Sequence, residues 1–100
     1  MIEDGKIYIV KFAEAHCFVG KVTRLPEGLK FSQSLCLKEW GADKGLGQLY
    51  NGPLPGTKLD LGGELTLPMH SVIALLNVDQ KPWQKILNKH YPEGGEKPAA

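Results

Sequence analysis

The sequence lacks several features that would each have pointed to a class of protein. It has no excess of charge of one sign, since 12 lysines and arginines stand against 11 aspartates and glutamates, giving a formal net charge of +1. This balance argues against broad neutralisation of nucleic-acid phosphates, which usually needs a basic face. The longest apolar run, from Val72 to Leu76, is too short to span a bilayer. We therefore expect neither a general nucleic-acid binder nor a membrane-spanning protein.

Cysteine is scarce, and the two cysteines, Cys17 and Cys36, have neither metal-ligand spacing nor the pattern of a disulfide framework. Each lies in an apolar, strand-like run, which favours two reduced, buried thiols in a cytosolic protein. The first five residues lack the basic and apolar regions that open a secretory signal. The predicted localisation is therefore the cytoplasm.

Catalytic and metal-binding signatures are also lacking. The three histidines have no acidic or cysteine partner at ligand spacing: His16, His70 and His90. His16 directly precedes Cys17, but neighbouring residues of a strand point to opposite faces, so these two side chains do not form a catalytic dyad. The sequence predicts a protein that is not an enzyme and that uses no metal or cofactor.

Short strands separated by turn residues dominate the rest of the chain. Segments rich in β-branched, aromatic and other apolar residues predict five strands: Lys6–Phe12, Cys17–Leu25, Leu29–Glu39, Glu64–Met69 and Ser71–Val78. In the third strand, alternation predicts that four apolar residues share one face: Leu29, Phe31, Leu35 and Leu37. The polar residue Gln33 interrupts this apolar face near its middle, which indicates a kink in the strand. Gly20 indicates a bulge or a barrel bend in the second strand. Pro26 and Gly28 predict a hairpin turn, because Pro26 presets φ and Gly28 permits a positive one.

One helix is predicted over about residues 80–91. Asp79 is suited to cap it, Pro82 to its first turn, and the apolar face is formed by Trp83, Ile86, Leu87 and His90. Residues 92–100 are rich in Gly, Pro, Glu and Lys and predict a disordered tail. We expect residues 1–91 to form a single domain of the mainly β (α+β) class, a small bent five-stranded barrel or half-barrel with one C-terminal amphipathic helix.

The predicted strands carry more apolar surface than one helix covers. Lys6–Phe12 and Ser71–Val78 are apolar on both faces. Burial between copies of the chain would remove this surplus from water, and predicts a homo-oligomer. Alternatively, a single copy would bury both faces of these strands if one face lined the interior of a barrel and the helix covered the other.

The most informative stretch is the glycine-rich turn that follows the third strand, Trp40–Leu49. Its glycines expose backbone N–H groups, while Trp40 and Lys44 add an aromatic face and a cation, a combination that suits an anionic or nucleotide-like ligand. The predicted ligand-binding residues are Trp40, Gly41, Lys44, Gly45, Gly47, Gln48, Asn51, Arg24 and Lys38. A tight structural corner would use the same glycines, and Gly45-Leu46-Gly47 matches neither the dinucleotide fingerprint nor the P-loop.

Several short motifs follow one another along about residues 6 to 78: Phe18-x-Gly20-x-Val22, Trp40-Gly41, Lys44–Leu49, Asn51-Gly52-Pro53 and Val72–Leu76. This order resembles a family of small, functionally uncharacterised proteins encoded by tailed phages and prophages. The resemblance implies a phage accessory protein that acts in the infected bacterial host. It is similar in class to non-enzymatic phage proteins that counter host immunity as homo-oligomers sequestering nucleotide second messengers.

Three functions follow as hypotheses. The first is a homo-oligomeric protein that binds and sequesters a small anionic, nucleotide-derived signalling molecule, with Trp40 stacking and Lys44, Arg24 or Lys38 supplying charge. The second is a protein-interaction module that contacts a host or phage protein through its apolar strands and the helix face of Trp83, Ile86 and Leu87. The third is single-stranded nucleic-acid binding by the small barrel.

Overall fold

The computed structural model describes residues 2–12, 16–39 and 46–92, in which five antiparallel strands form one sheet and one helix follows them. The strands are β1 (Lys6–Phe12), β2 (His16–Leu25), β3 (Gly28–Glu39), β4 (Lys58–Pro68) and β5 (Val72–Asn77), and the helix is α1 (Gln80–His90). Two short 3-10 turns lie at Leu46–Leu49 and Met69–Ser71. The predicted mainly β fold with a C-terminal helix is confirmed. No helix among these residues is long and apolar enough to cross a membrane.

The order of strands across the sheet is β4-β3-β2-β1-β5, so β4 and β5 form its two edges. The edges of a flat five-stranded sheet lie about 19 Å apart, because neighbouring strands are about 4.8 Å apart. Yet only the Met69–Ser71 turn joins β4 to β5, and a link of this length reaches about 14 Å at most. The sheet must therefore curl so that its edges converge at this end. It does not close within the described strands, and a complete barrel is not confirmed.

A bulge in β3 changes which face its side chains occupy. Lys21 pairs with Gln33, but Val22 pairs with Phe31, so Ser32 is an extra residue in β3. One inserted residue moves every later side chain to the opposite face. The shared face predicted for the four apolar residues of this strand is therefore wrong, because Leu29 and Phe31 pack on one face and Leu35 and Leu37 on the other.

A matching irregularity in β4 lies at Gly62-Gly63, where Gly63 has a φ of 70°. A side chain at Gly62 would lie 2.2 Å from the Oγ of Ser34, so the close approach of β3 requires glycine there. Leu59 packs on the same face as Leu35, whereas Leu65 and Leu67 pack with Phe31. Two adjacent glycines are typical of the end of a strand, and the strand predicted from the sequence begins only after them, but β4 continues through both glycines.

Each face of the sheet has its own core. The first core lies under α1 and includes Ile7 and Ile9 of β1 with Trp83 and Leu87 of the helix. The second core draws buried or half-buried side chains from all five strands and from Ile2. Its central residues, Val10, Val22, Leu29 and Phe31, are fully buried, which agrees with a sheet curled around them. Most of the apolar surplus that predicted a homo-oligomer is thus covered within one copy.

Hydrogen bonds at the start of α1 cap the helix and hold it against β1. The carboxylate of Asp79 caps it by accepting from the N–H of Lys81 (3.3 Å). The amide of Gln80 accepts from the N–H of Ile7 (2.7 Å) and donates to the carbonyl of the same residue (2.9 Å). It thereby continues the hydrogen bonding of β5 along the edge of β1. The helix predicted from Asp79 onward is confirmed.

Candidate functional site

The glycine-rich corner is only partly covered by the structure. Gly47 and Gln48 lie in the 3-10 turn Leu46–Leu49, and Asn51 follows it as an exposed residue. Gln48 is also exposed. The other residues predicted for this corner lie outside the described residues: Trp40, Gly41, Lys44 and Gly45.

The described part of this corner is tied to the start of α1. The indole Nε1 of Trp83 donates to the carbonyl of Leu49 (2.8 Å), and the N–H of Asp79 donates to the carbonyl of Tyr50 (2.8 Å). Leu49 is buried, whereas the side chain of Tyr50 is 49% exposed. Tyr50 is therefore an exposed aromatic ring on a fixed backbone beside Gln48 and Asn51. Tyr50 is not among the ligand-binding residues predicted from the sequence, although its position between Gln48 and Asn51, which are, indicated that it lies at the same surface.

Lys38, predicted to supply charge to the ligand, already has a partner at this end of the sheet. Its ammonium lies 3.1 Å from a carboxylate oxygen of Asp60, and this hydrogen bond raises the pKa of Lys38 above its ordinary value. Lys58 forms a similar pair with Glu39 (3.1 Å). An incoming anion would have to compete with these carboxylates for the ammonium groups, although ion pairs between side chains this exposed are weak.

Arg24 lies at the other end of the sheet from Lys38. It pairs with Leu29 beside the β2–β3 turn, whereas Lys38 lies nine residues farther along β3. At about 3.3 Å per residue this corresponds to about 30 Å of strand. The structure therefore separates Arg24 from Lys38, two cations that were predicted for one site.

Two open grooves flank the turn that contains Pro26. The first has a volume of about 630 Å³ and is lined by residues 25–28 and 66–68. The second has a volume of about 550 Å³ and is lined by Ile2, Asp4, Arg24, Leu25 and Pro26. Both volumes lie within the range of small-molecule sites, about 300–1,000 Å³. We call the pair the turn grooves.

Backbone hydrogen bonds fix the walls of the turn grooves. The N–H of Met69 donates to the carbonyl of Glu27 (2.9 Å), which holds the Met69–Ser71 turn against the β2–β3 turn. A side chain on Gly28 would lie 2.1 Å from the carbonyl oxygen of Leu67, so glycine is required there for close approach. The turn does not use the positive φ that glycine permits at this position, since the described glycines with positive φ are Gly5, Gly52 and Gly63.

The polar groups of the turn grooves include one cation and two carboxylates. The Oδ1 of Asp4 accepts from the backbone N–H of Arg24 (2.9 Å), which holds the N-terminal segment beside β2. The guanidinium of Arg24 forms no ion pair with any residue that the structure describes. Arg24 and Glu27 are both exposed. The grooves thus hold a cation that forms no ion pair with the described residues and, across the apolar surface of Leu25 and Pro26, the carboxylate of Glu27 as an acceptor.

Cys17 is buried in the first core, whereas Cys36 lies two residues before Lys38 and pairs with Asp60 across β3 and β4. Burial raises the pKa of the Cys17 thiol and of the half-buried Cys36 thiol above the ordinary value, which keeps both in the less reactive protonated form. Across residues 2–12, 16–39 and 46–92, no group of three or more His, Cys, Asp or Glu side chains is placed to hold a metal ion.

Comparison of the chain with protein-family models, with curated proteins and with solved structures gives no match. The resemblance to small phage proteins therefore stays a prediction based on the motifs alone. The functional argument depends on the chemistry of the turn grooves and of the glycine-rich corner.

Proposed function

We propose that this chain is a non-enzymatic binding protein for a small anionic, nucleotide-derived molecule, which it holds in the turn grooves at the open end of a half-barrel. The observation that carries the proposal is Arg24, a cation without an ionic partner among the described residues that lines a groove of about 550 Å³. A planar guanidinium suits two-pronged hydrogen bonding to phosphate.

The other groups around the β2–β3 turn complement the rest of such a ligand. Leu25 and Pro26 belong to both grooves and offer an apolar surface on which a ring can lie. The Glu27 carboxylate lines the first groove and accepts hydrogen bonds only, so it suits an exocyclic amino group of a base. A ligand that lies across the turn would place its phosphate at Arg24 and its base at Glu27.

The resemblance supplies the biological role in this proposal. A phage accessory protein that binds a signalling nucleotide without transforming it would lower the free concentration of that messenger in the cytoplasm of the infected host. Sequestration of this kind requires neither a metal nor a catalytic residue, but it requires tight binding and many copies of the protein. We extend the proposal to assembly of the chain with copies of itself.

The glycine-rich corner is the second place where the same class of ligand could bind. Tyr50, Gln48 and Asn51 form an exposed polar and aromatic surface there, and Trp40 and Lys44 belong to the same segment of the sequence. Lys38, the described lysine predicted to supply charge to this ligand, is paired with the carboxylate of Asp60. For this reason the turn grooves are the preferred location.

A protein-interaction module is the second candidate function, and one observation favours it. The apolar lining of the first groove, Leu25, Pro26, Leu67 and Pro68, lies beside Met69, which is 37% exposed, a surface that suits an extended apolar peptide. The helix face predicted for this function is not available, because Trp83 and Leu87 are fully buried in the first core.

A binding experiment separates these alternatives. The purified protein is denatured and searched by mass spectrometry for a co-purified ligand, and the thermal unfolding of fresh protein is followed with a panel of mononucleotides and cyclic nucleotides. A bound nucleotide at a hundred times its Kd should add about 2.7 kcal/mol to the free energy of unfolding. Absence of both a co-purified nucleotide and stabilisation by the panel would overturn the proposal.

Two matched variants then locate the site. Arg24→Ala should weaken binding at least about tenfold, because a lost charge-assisted hydrogen bond costs about 1.5–3 kcal/mol. Arg24→Lys should retain part of the affinity. Lys44→Ala should leave it unchanged. The reverse result, with loss on Lys44→Ala only, would move the site to the glycine-rich corner.

A further inference from the structure

The two edges of the sheet differ in how well they are protected against further strand pairing. Within the described chain β4 pairs only with β3, and β5 pairs only with β1. The outer edge of each strand therefore presents backbone N–H and C=O groups without a strand partner. Such an edge is a template for pairing with another chain, and proteins usually protect it with charges, proline or bulges.

The edge formed by β4 carries several of these protective features. Lys58, Asp60 and Glu64 are exposed charged residues on this strand. The positive φ of Gly63 and the shifts in register near it interrupt the regular edge. Pairing of β4 with a further strand would bring these charges and this irregularity into the interface, so β4 is a poor candidate.

The edge formed by β5 has neither charges nor proline, since its sequence is Val-Ile-Ala-Leu-Leu-Asn. Its one irregularity lies near its start, where Phe12 pairs with Val72 but Lys11 pairs with Ala74, leaving Ile73 as an extra residue. The side chain of Ile73 is 62% exposed, the highest value among the exposed large hydrophobic residues of the described chain. From Ala74 to Asn77 the strand is regular.

We propose that β5 is the surface through which two copies of the chain associate, by antiparallel pairing of β5 with the β5 strand of a second copy. Water satisfies these outward N–H and C=O groups in a single copy, and a second strand replaces that water with a regular row of hydrogen bonds. Two identical strands that pair antiparallel about a two-fold axis form a self-complementary interface. Because β5 has no charged residue, this pairing brings no like charges together in any register.

The dimer joins two five-stranded sheets into one continuous sheet and removes the exposed Ile73 side chains from water. This inference rests on the proposed assembly of copies and not on the proposed ligand. The turn grooves lie beside the β2–β3 turn and do not include β5. Ligand binding and dimer formation therefore succeed or fail separately.

The first test is sedimentation velocity of the wild-type chain from about 1 µM to about 100 µM, a concentration range that covers a micromolar Kd. We expect a reversible monomer–dimer equilibrium. Ile73→Lys places a charged side chain where the proposed dimer removes an apolar one from water, and should raise the dimer dissociation constant at least tenfold. Leu61→Lys is the matched control on the β4 edge, since Leu61 is also exposed (44%), and should leave the equilibrium unchanged. Circular dichroism of both variants checks that they fold.

A cross-linking experiment identifies the interface independently. Antiparallel pairing of β5 along its whole length places Ile73 of one copy opposite Leu76 of the other, so the two copies of residue 73 lie about 10 Å apart along the strand, beyond the reach of a direct disulfide. A bifunctional maleimide of about that span should therefore join Ile73→Cys into a covalent dimer that is absent from wild-type protein, whereas Leu61→Cys should stay monomeric on a denaturing gel. A wild-type chain that is monomeric at every concentration overturns the inference. So does a dimer that Leu61→Lys disrupts and Ile73→Lys leaves intact, or an assembly larger than a dimer, because pairing of β5 with itself ends at two copies.

Discussion

The hydroxyl of Tyr91 bridges the gap between β3 and β4 at Ser34. It donates to the carbonyl of Ser34 (2.8 Å) and accepts from the N–H groups of Ser34 (3.3 Å) and Gly63 (2.9 Å). The ring is buried in the first core. The residue that follows α1 therefore satisfies backbone groups at the irregular stretch where the regular pairing of β3 and β4 is interrupted.

Replacement of Tyr91 by Phe should destabilise the fold, because it removes the hydroxyl and leaves buried backbone groups without a partner. The expected loss is about 1–3 kcal/mol of unfolding free energy, measured by urea denaturation. Tyr50→Phe is the control, since the Tyr50 side chain is half exposed, and it should change stability by less than about 0.5 kcal/mol. Equal effects of the two substitutions would contradict the role given to Tyr91.

Gln80→Ala should also destabilise the protein, because it removes both hydrogen bonds to the backbone of Ile7. We expect a loss of about 1–2 kcal/mol by urea denaturation. Gln84→Ala provides the comparison on the same helix, where Gln84 bonds only to the exposed side chain of Asn88 (2.9 Å). Such helix-surface pairs contribute about 0.2–0.5 kcal/mol. If Gln84→Ala lowers the free energy of unfolding as much as Gln80→Ala does, the hydrogen bonds to Ile7 do not account for the loss of stability.

Two glycines should respond differently to the same substitution. A Cβ at Gly20 would lie 2.0 Å from the backbone carbonyl oxygen of Gln33, whereas one at Gly62 would lie 2.2 Å from the side-chain Oγ of Ser34. Both alanine variants should lose at least about 1–3 kcal/mol of stability. Ser34→Ala should partly rescue Gly62→Ala, with a coupling of about 0.5–3 kcal/mol in a double-mutant cycle. It should not rescue Gly20→Ala, and rescue of both would show that the clash is not local.

Stability should fall in alkaline solution because of the buried thiols. Burial raises the pKa of Cys17 above the ordinary value of 9.0, so the folded state holds this proton more strongly than the unfolded chain does. Above about pH 9 the unfolded chain binds fewer protons, and the free energy of unfolding decreases as the pH rises. In urea titrations from about pH 7 to about pH 10, the stability difference between wild type and Cys17→Ala should shrink. A difference that is constant with pH would contradict this.

The sequence allowed the elements to be predicted better than the faces of the strands. β1 was predicted with its observed bounds, and Asp79 was correctly assigned as the helix cap. These successes rest on local signals, namely β-branched residues next to a turn and a capping side chain before a helical pattern. The faces of β3 depend on one inserted residue, Ser32, and periodicity does not show an insertion. The polar residue Gln33 indicated where the apolar face of β3 is interrupted, but it did not indicate that one residue is inserted there.

The first half of β4 was missed for a related reason. Gly62-Gly63 reads as a break because glycine is common in turns, but here glycine is needed since Ser34 approaches closely. That approach depends on the neighbouring strand and lies outside any local window. The separation of Arg24 from Lys38 has the same origin, because only the register of β2 and β3 shows that these cations lie at opposite ends of β3.

The hydrogen bonds between Gln80 and Ile7 join residues 73 positions apart in the chain. The pairing of β1 is likewise complete only when β5 is present. A growing polypeptide leaves the ribosome with β1 first and α1 last, so β1 emerges long before these partners exist. Contacts of such long range slow folding and prolong exposure of apolar strands. The sheet therefore stays incomplete at β1 until β5 and α1 have been synthesised, and the apolar side chains of β1 are open to aggregation during that interval.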